Sequence, residues 1–201
     1  MKMNTQLNID LMHLQALELL EAGNTKQGME LLLRVLEQRP KDPQVLITVG
    51  NALNDMGRSQ EAIVILRSAV NQLPGQALPL ISLGAALLRN GEAAAAEGFL
   101  ERALALDPKE YTTMTNLAAC LIKLSKTPER AEQLLHQAAR LSPDTKTSQH
   151  IYFNLGRALQ QQGQLTKAGQ AWNHAIQLSP QSDIARAIRD RYPHLNSNWK
   201  N

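Results

Sequence analysis

Residues 77–110 read ALPLISLGAALLRNGEAAAAEGFLERALALDPKE: an apolar run, a glycine, a second run rich in alanine, and a closing proline. Leu80, Leu83 and Leu87 recur at helical spacing and make one apolar stripe on a first helix. Gly91 follows where a turn needs positive φ near a helix C-terminus. Ala96, Leu100 and Ala103 then mark a second helix, which Pro108 stops because its ring cannot continue the hydrogen-bond ladder. Gly84 and Ala96 are small enough to let the two helices approach with little between them.

The same pattern recurs along the chain. The prolines that close apolar stretches are Pro40, Pro74, Pro108, Pro143 and Pro180, at spacings of 34, 34, 35 and 37. Gly50, Gly84 and Gly156 each precede a second glycine (Gly57, Gly91, Gly163) by seven residues. Ala62, Ala96 and Ala168 follow five residues later, and Ala69, Ala103 and Ala175 seven beyond that. A lattice of this kind does not arise by chance.

The pattern resembles the tetratricopeptide repeat family, whose unit carries small or bulky residues at its positions 4, 7, 8, 11, 20, 24, 27 and 32. The second repeat supplies Leu46, Val49, Gly50, Leu53, Ala62, Leu66, Ala69 and Pro74 at those places, and the fifth supplies Tyr152, Leu155, Gly156, Leu159, Ala168, Trp172, Ala175 and Pro180. The fourth gains one residue before Ala131, and the first is degenerate, with Gln15 and Gly28 in the series. The resemblance implies an all-α fold, an α-solenoid of antiparallel helix hairpins forming a right-handed superhelix. It divides the chain into an N-terminal extension (1–8), five repeats (9–42, 43–76, 77–110, 111–145 and 149–182), a capping helix (183–192) and a tail (193–201). A lone hairpin cannot bury its apolar face, so neighbours must stack and the ends must be covered. Ile184, Ala187 and Ile188, set among charges, suit a solvating C-terminal cap, while Gln15 and Glu18 suit water at the other end. Thr127-Pro128-Glu129 is expected to start the second helix of the fourth repeat as N-cap, first-turn proline and first-turn acid.

Composition agrees with this architecture. Aromatics are only 3% of residues, so the core must come from Leu–Ala contacts between close helices, not from a β-sandwich. Charge is uneven: residues 1–144 hold 14 Lys and Arg against 16 Asp and Glu, whereas 145–201 hold 7 against 2. That excess favours an acidic partner segment near the C-terminal half, or else is plain solvated surface. The acidic balance of the first three-quarters argues against nucleic acid. The longest mostly apolar stretch, Leu78 to Leu88, is too short to span a bilayer, and no secretory signal is visible, so a cytoplasmic location is expected.

The residues give no sign of an enzyme. His13, His136, His150, His174 and His194 form no metal-binding pair, and the single cysteine, Cys120, stands where other repeats have Ala52, Ala86 and Ala158. There is no phosphate loop and no dinucleotide fingerprint. No cofactor is expected.

What the resemblance implies instead is a groove. First helices line the concave face of the family, and transferring its ligand-facing positions selects Ile47, Asn51 and Asn54 in the second repeat and Leu78, Ile81, Ala85 and Arg89 in the third. Asn116 and Lys123 follow in the fourth repeat, and Phe153, Asn154 and Arg157 in the fifth. Family members that bind extended peptides use asparagines at such places to hold the backbone, since the amide donates and accepts at once; the alternative is that Asn51, Asn116 and Asn154 are plain exposed polar residues. Arg89, Lys123 and Arg157 make the C-terminal half basic, yet no repeat has Lys or Arg at the places where chaperone-binding members clamp a terminal carboxylate. The expected function is a non-catalytic adaptor or assembly factor that binds a peptide or helix of a partner protein in this groove. The alternatives are a regulatory or substrate-binding subunit of an enzyme or secretion complex, and a scaffold that self-associates through its ends.

Overall fold

The computed structural model describes residues 2–193, with side chains from Gln6 onward, as eleven helices and, among these residues, no strand. The chain divides into two compact units, 1–106 and 107–201. The fold is all-α in both.

The first unit contains α1 (Lys2–Glu21), α2 (Thr25–Gln38), α3 (Pro43–Asp55), α4 (Ser59–Gln72), α5 (Ala77–Arg89) and α6 (Ala93–Leu106). They pair as α1 with α2, α3 with α4 and α5 with α6, and the first helices α3 and α5 also touch. Leu32, Val35, Val45, Val49, Leu66, Leu80, Leu83, Leu87 and Leu100 are sealed from solvent between them. Gly50 faces Leu66 and Gly84 faces Leu100 so closely that a Cβ would stand 2.5 and 2.6 Å from the respective leucine Cγ. Glycine at these points is therefore a packing requirement. Gly57 and Gly91 take φ of 79° and 93° at the hairpin turns, where an L side chain would be strained. Asp42 starts α3 by accepting from the Gln44 and Val45 amides at 2.9 and 3.4 Å.

Helix α1 begins at Lys2, so residues 2–8, expected as a separate extension, continue the first helix. Gln15 and Glu18 face solvent as anticipated, but Leu7, Leu11 and Leu14 on the same helix are also exposed.

The second unit holds α7 (Tyr111–Lys123), α8 (Pro128–Leu141), α9 (Thr145–Gln161), α10 (Leu165–Leu178) and α11 (Asp183–Arg191). Trp172 occupies the place held by Leu66 and Leu100 in the first unit. It packs on Gly156, and its indole N–H donates to the Phe153 carbonyl at 3.1 Å. Helix α11 rests on α9 and α10, burying Ala185 and Ile188 completely and bringing Tyr192 onto the Trp172 ring. Buried Gln149 ties this end together, its amide reaching the Ala175 and Ser179 carbonyls and Ser182 Oγ at 2.8, 3.0 and 2.7 Å. Of the expected tail over 193–201, all but Pro193 lies outside the described residues.

The fourth repeat's second helix starts where expected, with Thr127 at the N-cap position and Pro128 and Glu129 in the first turn, but one part of that expectation is corrected. The Thr127 side chain makes no capping bond, and its backbone is left-handed, at φ 36°. Ser125, at φ 52°, replaces the missing turn glycine. Its amide bonds the Ile122 carbonyl and that of Lys126 bonds Leu121. In the second repeat the Gly57 and Arg58 amides bond Asn54 and Leu53 in the same way. The turn keeps its hydrogen bonds and accepts two non-glycine residues in the left-handed region.

Candidate functional site

The predicted groove residues fall into three groups, with Lys123 apart from them. In the first unit, burial removes several of them from any surface. Ile47 is 3% exposed and packs with Leu46 and Ala69 against Leu36, Ile65 and Leu73. Ile81 is buried as well. Asn54 is 7% exposed, and its Oδ1 accepts from Ser59 Oγ at 2.9 Å, so its amide ties the end of α3 to the start of α4. The α3–α4 turn brings the Ser59 hydroxyl onto this position. Asn51 is half-buried and lines a cleft of about 410 Å³ with Leu17, Leu20, Thr25, Thr48 and Met56. Leu78 is exposed, Ala85 is partly so, and Arg89 is exposed 3.7 Å from the Asp55 carboxylate.

In the second unit, first helices α7 and α9 lie side by side and enclose a cleft of about 280 Å³. Asn116 from α7 and Asn154 from α9 both line it, together with Tyr111, Thr112, Thr115, Thr147 and His150. Two residues 38 apart in sequence thus present amides to one cleft. Thr115 Oγ1 donates to the Tyr111 carbonyl at 2.7 Å and is held there. The Asn116 side chain makes no hydrogen bond among the described residues, and Asn154 Oδ1 accepts a long one, 3.4 Å, from Arg157. Both amides keep donors and acceptors available.

Phe153 and Arg157 do not join that cavity. They line a second cleft, of about 310 Å³, between α9 and α11, with Gln160, Ala187, Arg191 and Tyr192. Burial, and after it the charge of Arg191, lowers the Arg157 guanidinium from its ordinary pKa. Lys123, at the end of α7, lines neither cleft and is exposed.

Tyr111, Arg191 and Tyr192 were not legible as site residues. Tyr111 opens its repeat at a place the family does not use for ligands. Arg191 and Tyr192 belong to the cap, which the sequence presents only as cover; the signal available was the crowding of Arg186, Arg189 and Arg191 around one aromatic.

Among the described residues no three His, Cys, Asp or Glu side chains gather as metal ligands, and no helix is long and apolar enough to cross a membrane. Cys120 is buried.

Tetratricopeptide repeat family profiles match residues 19–85 and 149–182. Comparison with curated protein sequences gives no match. Among solved structures, a thermophilic tetratricopeptide repeat protein of Thermus thermophilus is 18% identical, with a TM-score of 0.74 over 94% of this chain and 98% of its own. MamA (41-end) from Desulfovibrio magneticus RS-1 is 20% identical, with a TM-score of 0.66 over 87% of this chain and 97% of that one. YrrB, described as a TPR protein with an unusual peptide-binding site, is 16% identical, with a TM-score of 0.62 over 87% of this chain and 88% of its own. At these identities the likeness concerns the fold.

Proposed function

The chain belongs to the tetratricopeptide repeat family, and on that footing we propose that it is a non-catalytic adaptor or assembly factor holding an extended peptide of a partner protein. The observation that carries the proposal is the pairing of Asn116 and Asn154 in the α7–α9 cleft. An extended backbone offers N–H and C=O groups that need partners once water is displaced. Two carboxamides with unused donors and acceptors meet both needs without demanding a particular side chain. Tyr111, Thr112 and Thr115 add a wall that is partly apolar and partly polar, which suits a peptide better than a flat protein surface. The fold relative YrrB, with its peptide-binding site, makes this use of the architecture a reasonable one to test first.

The test begins with a displayed library of linear peptides selected against the full chain. The best sequence is then synthesised and titrated calorimetrically. Leaving partner groups unpaired costs on the order of 1–3 kcal/mol per site. The Asn116→Ala, Asn154→Ala double variant should therefore bind at least about tenfold more weakly. Unchanged affinity in that variant sinks the proposal.

A further inference from the structure

The α9–α11 cleft has chemistry that the cap's packing role does not need. Arg157 reaches it from the last turns of α9, and Arg191 from the end of α11. Each guanidinium lies over an aromatic ring, Arg157 at 6.0 Å from the Phe153 centroid and Arg191 at 5.8 Å from that of Tyr192. Tyr192 is itself fixed, its hydroxyl donating to Gln160 Oε1 at 3.0 Å. Neither arginine forms an ion pair with a carboxylate among the described residues. Two like charges therefore share a partly buried, aromatic-walled cavity, and among the described residues no carboxylate is paired with either. An anion placed there would offset the burial of Arg157 and the repulsion between the two guanidiniums.

We propose that this cleft is a subsite for an acidic side chain of the bound peptide, its carboxylate gripped by Arg157 and Arg191 and its methylenes lying against Phe153 and Tyr192. The assignment rests on the peptide-binding reading of the α7–α9 cleft. Arg157 donates to Asn154 Oδ1, and Asn154 lines that neighbouring cleft, so the two clefts are linked through adjacent side chains of α9. A carboxylate suits the place better than a phosphate. The cleft sits toward the C-terminal ends of both helices, where the backbone carries partial negative charge that penalises a dianion more than a monoanion. Two planar forks supply the bidentate geometry that carboxylates accept. The arrangement differs from a clamp built on first-helix lysines, because half of it belongs to the cap.

The experiment uses the full chain with isotope-labelled arginine, following the Arg157 and Arg191 Nε–H signals by nuclear magnetic resonance. The probes are end-blocked oligoglutamate and oligoglutamine peptides of equal length. Oligoglutamate should shift both signals saturably and bind about tenfold tighter than oligoglutamine, with the gap closing as the screening length falls from about 10 Å at 0.1 M salt to 3 Å at 1 M. Arg191→Gln, at an exposed position of α11, should erase the preference, while Arg189→Gln on the same helix should keep it. Equal binding of the two peptides overturns the proposal, as does a preference that survives both Arg191→Gln and Arg157→Gln. Stronger competition by inorganic phosphate than by acetate reassigns the cleft to phosphate groups and overturns it too. Asn116→Ala separates the two ideas, since Asn116 lies outside this cleft. Weaker peptide binding there with no acid preference leaves only the peptide site; an acid preference with Asn116→Ala neutral leaves only the anion subsite.

Discussion

The Tyr192 ring lies stacked on that of Trp172, with centroids 4.0 Å apart and planes within 17°. Trp172 fills the space against Gly156, so Tyr192 closes the last hairpin from outside while Ile188 and Ala185 seal it beside. Tyr192→Ala should lower unfolding stability by about 1–2 kcal/mol, the worth of an aromatic pair and its lost contact. Ile188→Ala should cost more, about 2–4 kcal/mol, because a fully buried branched side chain leaves a cavity. Chains ending before Asp183 should self-associate, their last hairpin being bare. Denaturant midpoints and sedimentation velocity check all three, and a monomeric truncation with an unchanged midpoint would make α11 an ornament.

Gly84 and Leu100 give a sharper test of the hairpin. A methyl group on Gly84 would stand 2.6 Å from Leu100 Cγ, a branch point that cannot swing aside as a chain end can. Alanine gains about 1 kcal/mol over glycine in helix propensity. Overpacking costs about 1–3 kcal/mol and should win. Gly84→Ala is expected to lower the thermal midpoint, and a Leu100→Ala partner change should recover part of the loss attributable to the clash. A stabilised Gly84→Ala protein would show that these helices have room to part.

Much of this was written in the sequence, because a packing rule repeated every hairpin leaves a repeated residue. The glycines facing Leu66, Leu100 and Trp172, the turn glycines and the closing prolines all work this way. Where one repeat departs from the rule, sequence reasoning had no second copy to consult. Thr127 takes the cap position its composition suggests, yet in this longer turn its backbone is left-handed and its side chain makes no capping bond. The clefts were legible only in part for a related reason. A consensus says which face of a helix a residue lies on, but not what the next turn or the cap places over it. Ser59 over Asn54, and Tyr192 beside Arg157, are both cases of this.

The fourth turn holds strain that a single substitution should release. Left-handed backbone costs a non-glycine residue about 1–2 kcal/mol, whereas glycine adopts it freely. Glycine also gains freedom in the unfolded chain, which returns part of the benefit. Thr127→Gly and Ser125→Gly should each raise stability by about 0.5–1 kcal/mol, the β-branched Thr127 giving the larger effect. Chemical denaturation of the two variants decides it, and destabilisation by both would mean these side chains hold the turn by contacts of their own.

Asn54 and Asn116 came from the same positional rule and should behave as opposites. Asn54 is buried and holds the Ser59 hydroxyl at 2.9 Å, so Asn54→Ala leaves a buried donor without its acceptor. That should cost about 1–3 kcal/mol of stability. Peptide affinity measured below the unfolding transition should not change, because the α7–α9 cleft lies in the other compact unit. Asn116 is half-buried and its side chain bonds nothing among the described residues. Its replacement by alanine should leave stability within about 0.5 kcal/mol, as for a surface change away from any packed feature. Peptide binding should weaken at least about fivefold, since the backbone groups it served lose their partner. Each variant is to be unfolded by denaturant and titrated with the same selected peptide. If Asn116→Ala unfolds early while binding normally, the asparagine belongs to the fold, and the cleft loses the residue on which its assignment depends.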